Sequence, residues 1–308
     1  MVICAYTEQR WNDTLDAVAS VRAQRPAPYD LIVVVDHNPQ LQARLAEALS
    51  DVRVVANRNE RGLSGARNTG VELTDAEVVV FLDDDAVAQA GWLGGLAAHY
   101  NDPAVLGVGG RIDPGWSTER PKWWPPEFDW VIGCNYIGQH PGIVRNLIGA
   151  NASFRRELFA EGGFTSGMGR SAVVDRPVGC EETEFCIRVG KTRPDGVFIY
   201  DDQAAVIHRV PIARQNFSYF RTRCFSEGLS KAQVTSSVGV GTGLSSEWSY
   251  STVTLPLGVW RGLGRAARGD RAGLLTAVAI IAGLGYTTAG YMIGTATSLW
   301  HKLRDSSK

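Results

Sequence analysis

The chain reads as an α/β protein, a mostly parallel sheet flanked by helices, with a helical C-terminal extension. Three observations predict this class. The runs VICAY (Val2 to Tyr6), LIVVVD (Leu31 to Asp36) and VVVFLD (Val78 to Asp83) are apolar throughout rather than alternating, as strands covered on both faces are. Between them, Trp11 to Gln24 and Pro39 to Leu49 repeat apolar residues at spacings of three and four, the period of a helix packed on a sheet. Beyond about residue 210 the pattern is helical to the end of the chain.

The bulk numbers bound the function. At 308 residues and 44% apolar the chain buries an ordinary core. Its 31 basic and 32 acidic residues give no overall attraction to nucleic acid. Cys4, Cys134, Cys180, Cys186 and Cys224 form an odd set without a CxxC pair or zinc spacing, so reduced, packed thiols are expected. The N-terminus has no basic region followed by a long apolar run. The expected compartment is therefore the cytosol or the cytoplasmic face of a membrane.

After the third strand the elements continue in order. Ala104 to Ile112 reads as a strand and leads into RPKWWPPEFDW, which has neither helical nor strand period. Its upstream GVGGR lacks the GxGxxG of a dinucleotide site. NLIGANASFRRELF turns from strand to helix, CEETEFCIR opens a helix rich in acids, and FIYDDQAAVIHRV is a last strand ending near His208. These elements place a first domain at residues 1–210 and a helical region at 211–308. Within the latter, residues 255–271 read as a basic amphipathic helix carrying Arg261, Arg265, Arg268 and Arg271. Residues 272–300 contain no charge and are long enough to cross a bilayer. Gly290 and Gly294 offer a small-xxx-small helix contact. The expectation is association with a membrane surface, and its alternative is a helix packed on the protein.

The chemistry is carried by carboxylates. In open parallel sheets, ligands bind beyond the carboxyl ends of the strands. Asp36 and the triplet Asp83, Asp84 and Asp85 end two different strands, so both deliver acids to one rim. Three adjacent like charges are unfavourable unless a cation offsets them. Two carboxylates one residue apart hold a hard divalent ion that in turn bridges a diphosphate. Mn²⁺ or Mg²⁺ is the expected cofactor.

Taken in order, VICAYTEQ, VVVD, NERGLSGARNTG, FLDDDA, GANASFRRELF and CEETEFCIR resemble the family 2 glycosyltransferases over roughly Val2 to His208. The resemblance implies the GT-A fold and inverting transfer from a nucleotide-diphosphate sugar, with a UDP-sugar as the family-level donor. It implies a donor pocket at Ala5, Tyr6, Thr7 and Glu8, with Asp36 reading the base and Arg67 and Asn68 near the diphosphate. Asp83 would lie toward ribose and metal, Asp85 would bind the metal directly, Asp84 would face either way, and His208 would complete the metal set. Glu182 falls at the general base, where the family more often carries aspartate, with Glu181 and Glu184 beside it. Arg221 and Arg223 sit where family members close the donor site. Trp123, Trp124 and Asn151 are placed on the acceptor side.

A tail that rests on a bilayer would let the enzyme reach a polyprenyl-phosphate-linked saccharide, with transfer of a hexose or uronic acid in cell-surface glycan synthesis. Two alternatives use the same residues. A soluble transferase acting on a small molecule would employ the tail as a packing element, and a non-catalytic scaffold would bind the donor without turnover.

Overall fold

The computed structural model describes residues 1–165, 181–238 and 247–305. These fall into two compact units. The first holds residues 1–113, 140–165 and 181–209, and the second holds Pro114–Gln139 and the chain from Val210 onward.

The first unit is built on a nine-stranded mixed sheet. Its strands are β1 (Val2–Ala5), β2 (Ile32–Val35), β3 (Arg53–Ala56), β4 (Val78–Asp83), β5 (Ala86–Ala88), β6 (Val105–Trp116), β7 (Gly142–Val144), β8 (Asn151–Arg155) and β9 (Val197–Val210). They run in the order β3-β2-β1-β4-β8-β6-β9-β5, with β7 also on β9. The α/β class holds. The parallel register is confined to β3-β2-β1-β4. The pairs β4–β8, β6–β8, β5–β9 and β7–β9 are antiparallel. The parallel half is the part with helical crossovers: α1 (Trp11–Arg22), α2 (Pro39–Ala48) and α3 (Leu63–Glu72) return the chain between its strands. The antiparallel half also uses α4 (Trp92–Ala98) and α5 (Glu181–Thr192).

One face of this sheet is sealed by Val2, Val34, Phe81 and Phe154 with Phe164 and Phe185. The rings meet mostly edge to face, as Phe154 and Phe185 do at 5.2 Å. Burying each such side chain stabilises by about 1.5–3 kcal/mol, so the strand ends stand on a rigid base. Cys4, Cys134, Cys186 and Cys224 form no disulfides with one another; Cys180 lies outside the described residues.

The second unit contains α6 (Phe217–Val238), α7 (Leu255–Ala267) and α8 (Arg271–Asp305). Pro114–Gln139 groups with this unit, away from the residues that flank it in the chain. The reason is aromatic packing. Trp123 and Trp124 meet Phe220 of α6 edge to face at 5.6 and 5.3 Å, and Phe128 joins them at 5.3 Å from the same ring. Trp124 is buried, with its indole N–H donated to Asp129 at 3.0 Å. The Gly290 and Gly294 pair is also used internally. A Cβ on Gly290 would lie 2.1 Å from the Phe225 carbonyl oxygen, and one on Gly294 would lie 2.7 Å from the Ala232 methyl, so these glycines seat α8 against α6.

Candidate active site

The three aspartates form the corner between two strands. Asp83 ends β4, Asp84 and Asp85 make the turn, and β5 follows at once. β5 pairs with β9 in a register that sets Ala86 opposite His208, and Arg209 donates its backbone N–H to the Asp85 carbonyl at 2.8 Å. This register brings a histidine more than a hundred residues downstream to the acidic corner. One ligand atom from each of Asp83, Asp85 and His208 lies within 4.8 Å of the others.

Two carboxylate oxygens and an imidazole nitrogen converging at that distance match the donor set of a hard to borderline divalent cation. His208 is 2% exposed, and its Nδ1 has no hydrogen-bond partner among the described residues. Its Nε2 lies 3.1 Å from Asp85 Oδ1. The residues therefore fit a metal.

Asp84 takes a different role. It is 2% exposed and turned toward Arg10 at 2.5 Å, while the same guanidinium reaches Asp85 Oδ2 at 2.9 Å. Burial pushes the Asp84 carboxyl up to about 7, with Arg10 working against that rise and Asp85 adding to it. Arg10 follows β1 in the short turn before α1, and sequence reasoning passed over it. A lone arginine at a helix entry has no spacing signal, so only the folded corner reveals its partners.

Arg67 is the second cation of the site. It sits on α3 at 2% exposure. Its Nη2 lies 3.2 Å from Asp83, and its Nη1 lies 3.4 Å from Glu181 and bonds Glu182. Burial alone would lower its pKa, but Glu182, Asp83 and Glu181 outweigh burial and raise it. One guanidinium thus links an aspartate of the metal corner to the acidic start of α5. Gly149 makes room for this contact: a Cβ there would fall 1.7 Å from Glu182 Oε1 and 2.6 Å from the Arg67 nitrogens. Glu184 does not join the cluster, because it accepts from Arg188 at 2.8 Å and from Thr165 at 3.0 Å.

Asp36 is held at the end of β2. It accepts from Asn57 at 2.7 Å and from the Gly62 backbone N–H at 3.0 Å. Gly62 has φ of 126°, a conformation that favours glycine and aims its N–H at the carboxylate. Ala5 ends β1, Tyr6 is half exposed, Thr7 caps the following turn, and Glu8 pairs with Arg44.

Asn68 and Asn151, expected at the donor and acceptor sides, both have protein hydrogen-bond partners. Asn68 exchanges hydrogen bonds with the Phe164 backbone, both at 2.9 Å. Asn151 is fully buried: it accepts from the Trp92 indole at 2.8 Å and donates to the carbonyls of Arg111 and Ala204 at 3.0 Å. Their amides are occupied in tying loops and strands together. Arg221 and Arg223 lie on α6, the first exposed and the second buried. Trp123 and Trp124 belong to the aromatic cluster of the second unit, a packing role the sequence reading did not foresee.

A parallel half-sheet carrying an Asp-Asp-His corner at its carboxyl rim defines a glycosyltransferase of the GT-A fold. The comparisons agree. The model of glycosyl transferase family 2 matches residues 1–163, and the chain belongs to that family. It is 36% identical over 238 residues, 75% of each chain, to a glucosyl-dolichyl phosphate glucuronosyltransferase of Haloferax volcanii. Among solved structures it resembles a mannosyltransferase of Pyrobaculum calidifontis in complex with GDP-Man and Mn²⁺. That match has a TM-score of 0.54 at 16% identity and covers 93% of this chain and 85% of the other. It also resembles GalNAc-T7 with UDP, GalNAc and Mn²⁺, with a TM-score of 0.50 at 17% identity, covering 81% and 53%.

Proposed function

We propose that this chain is an inverting, metal-dependent transferase that moves a hexose or hexuronic acid from a UDP-sugar to a polyprenyl-phosphate-linked saccharide at the cytoplasmic face of a membrane. The observation that carries the reading is the arrangement around Arg67, which ties Glu182 to Asp83 beside the convergence of Asp83, Asp85 and His208. An acid that is separate from the metal ligands yet fixed to one of them is what a single displacement needs. The Haloferax relative, named for a lipid-linked acceptor and a glucuronosyl group, supports the sugar and acceptor classes.

In this reading Asp83, Asp85 and His208 hold the metal, and the imidazole in the set favours Mn²⁺ over Mg²⁺. The bound ion supplies charge neutralisation for the departing diphosphate. Glu182 accepts the proton of the acceptor hydroxyl as that oxygen attacks the anomeric carbon from the side opposite the nucleotide. Arg67 fixes the Glu182 carboxylate and Glu181 buttresses that cation. Asp36, at the end of β2, and the turn from Ala5 to Glu8 receive the nucleoside.

The test is a panel of UDP-, GDP- and dTDP-sugars with and without Mn²⁺, comparing the wild type with Glu182→Gln. The expected result is Mn²⁺-dependent binding of UDP-sugars by both proteins, with turnover in the variant lower by about 10²–10⁴-fold, the contribution of a positioned base. Near-native turnover in Glu182→Gln would remove it as the base.

A further inference from the structure

We propose that the α7–α8 pair docks in the plane of an anionic lipid surface, one leaflet deep, and does not cross the bilayer. This deepens the membrane-surface part of the reading above and rests on it.

α7 and α8 pack against one another through small residues and leave large apolar residues on their outer side. In α7 the buried positions are Leu255, Gly258 and Gly262, while Leu257 and Trp260 are 52% and 72% exposed. α7 and α8 meet through their backbones: a Cβ on Gly262 would lie 2.7 Å from the Gly273 carbonyl oxygen, and one on Gly273 would lie 2.4 Å from that of Gly262. α6 and α8 approach in the same way at Gly228, where a Cβ would lie 2.1 Å from the Thr287 oxygen. Small residues between helices with large apolar residues outside is the arrangement of helices in lipid. In water the large side chains face inward.

The outward face is continuous along α8, where Leu274, Val278, Ile281 and Met292 are each at least half exposed. No charge interrupts residues 272–300. The length and composition of Arg271–Ser298 would suffice to cross a membrane. The opposite side of α8 argues for the in-plane arrangement. There it lies against α6, which carries an exposed Arg221 and a Glu227–Lys231 ion pair at 3.5 Å. A spanning α8 would take that polar helix into hydrocarbon, where unsolvated polar groups are strongly unfavourable.

Charge selects the surface. α7 contains no acidic residue, and Arg261, Arg265, Arg268 and Arg271 are all exposed along it and at the start of α8. Arg261 is anchored on the buried Glu127 and Arg265 on Asp270. Arginines at the rim of an exposed apolar face suit the headgroups of anionic lipid.

The experiment is flotation of the full chain on vesicles of phosphatidylcholine alone and of phosphatidylcholine with phosphatidylglycerol at three to one, comparing wild type with Trp260→Glu/Ile281→Glu. Mn²⁺-dependent UDP binding serves as the check on folding. The expected result is flotation of the wild type on the anionic vesicles, weakened by high salt, with the variant's partitioning reduced at least about tenfold and its UDP binding intact. Equal flotation of wild type and variant would overturn the assignment of this face. So would a concentration-dependent dimer without vesicles that the variant abolishes, since a second copy would then cover it. Protease-accessible sites on both sides of sealed vesicles would overturn the in-plane arrangement. UDP binding with no flotation would refute this docking while leaving the transferase reading standing.

Discussion

Replacing Arg67 by methionine tests the electrostatics of the site most directly. The guanidinium is 2% exposed and touches Asp83 at 3.2 Å and Glu181 at 3.4 Å, with Glu182 closer still. At an effective dielectric of about 20, each of the two longer contacts is worth about 5 kcal/mol of attraction. Desolvation of the buried guanidinium opposes that gain, and breaking such a buried cluster from one side costs about 3–5 kcal/mol net. Asp83 and Glu182 keep side-chain exposures of 27% and 14%, so water relieves part of their charge. The expected loss for Arg67→Met is therefore about 3 kcal/mol. Urea unfolding at neutral pH, followed by circular dichroism, would read it as a lower midpoint with an unchanged slope. Mn²⁺ should recover part of the loss, because binding to the folded state stabilises it and the ion compensates Asp83. A loss below about 1 kcal/mol, the range of a surface ion pair, would refute the account of Arg67 as the counter-ion of this cluster.

Two further outcomes are expected. Asp85→Ala removes a proposed metal ligand and should abolish Mn²⁺ binding in a calorimetric titration, whereas Asp84→Asn, whose carboxyl faces Arg10, should weaken it by about tenfold at most; equal losses would show that Asp84 ligates. Asp129 is raised to about 6 by burial, against the pull of Arg120 and Trp124. The folded state then holds its proton more tightly than the unfolded one. Its contribution to stability is greatest below about pH 4 and falls as pH rises through about 6, by about 3 kcal/mol in total. Asp129→Asn should flatten that part of the stability profile in unfolding measurements from pH 4 to 7, and an unchanged slope would exclude Asp129 as its source.

Much of this protein was legible in its sequence because the information is local. Continuous β-branched runs marked β1, β2 and β4, the helical period marked α1 and α2, and the acids at the start of CEETEFCIR sat on α5. The triplet after VVVFL marked the acidic corner, because like charges at a strand end call for a cation. What only the tertiary structure decided is which distant groups complete those local signals. His208 was named from the resemblance, but only the β5–β9 register shows how it reaches Asp85. The fold turned Asp84 onto Arg10, placed Arg67 between Asp83 and Glu182, and gave the amides of Asn68 and Asn151 hydrogen-bond partners on other segments. A side chain's type states what it can bind, but its partner is set by long-range strand register and helix packing, which leave no period in the sequence. The same holds for the tail. Its apolar length was visible in residues 272–300, but only the packed helices show its glycines turned inward and its large side chains turned out.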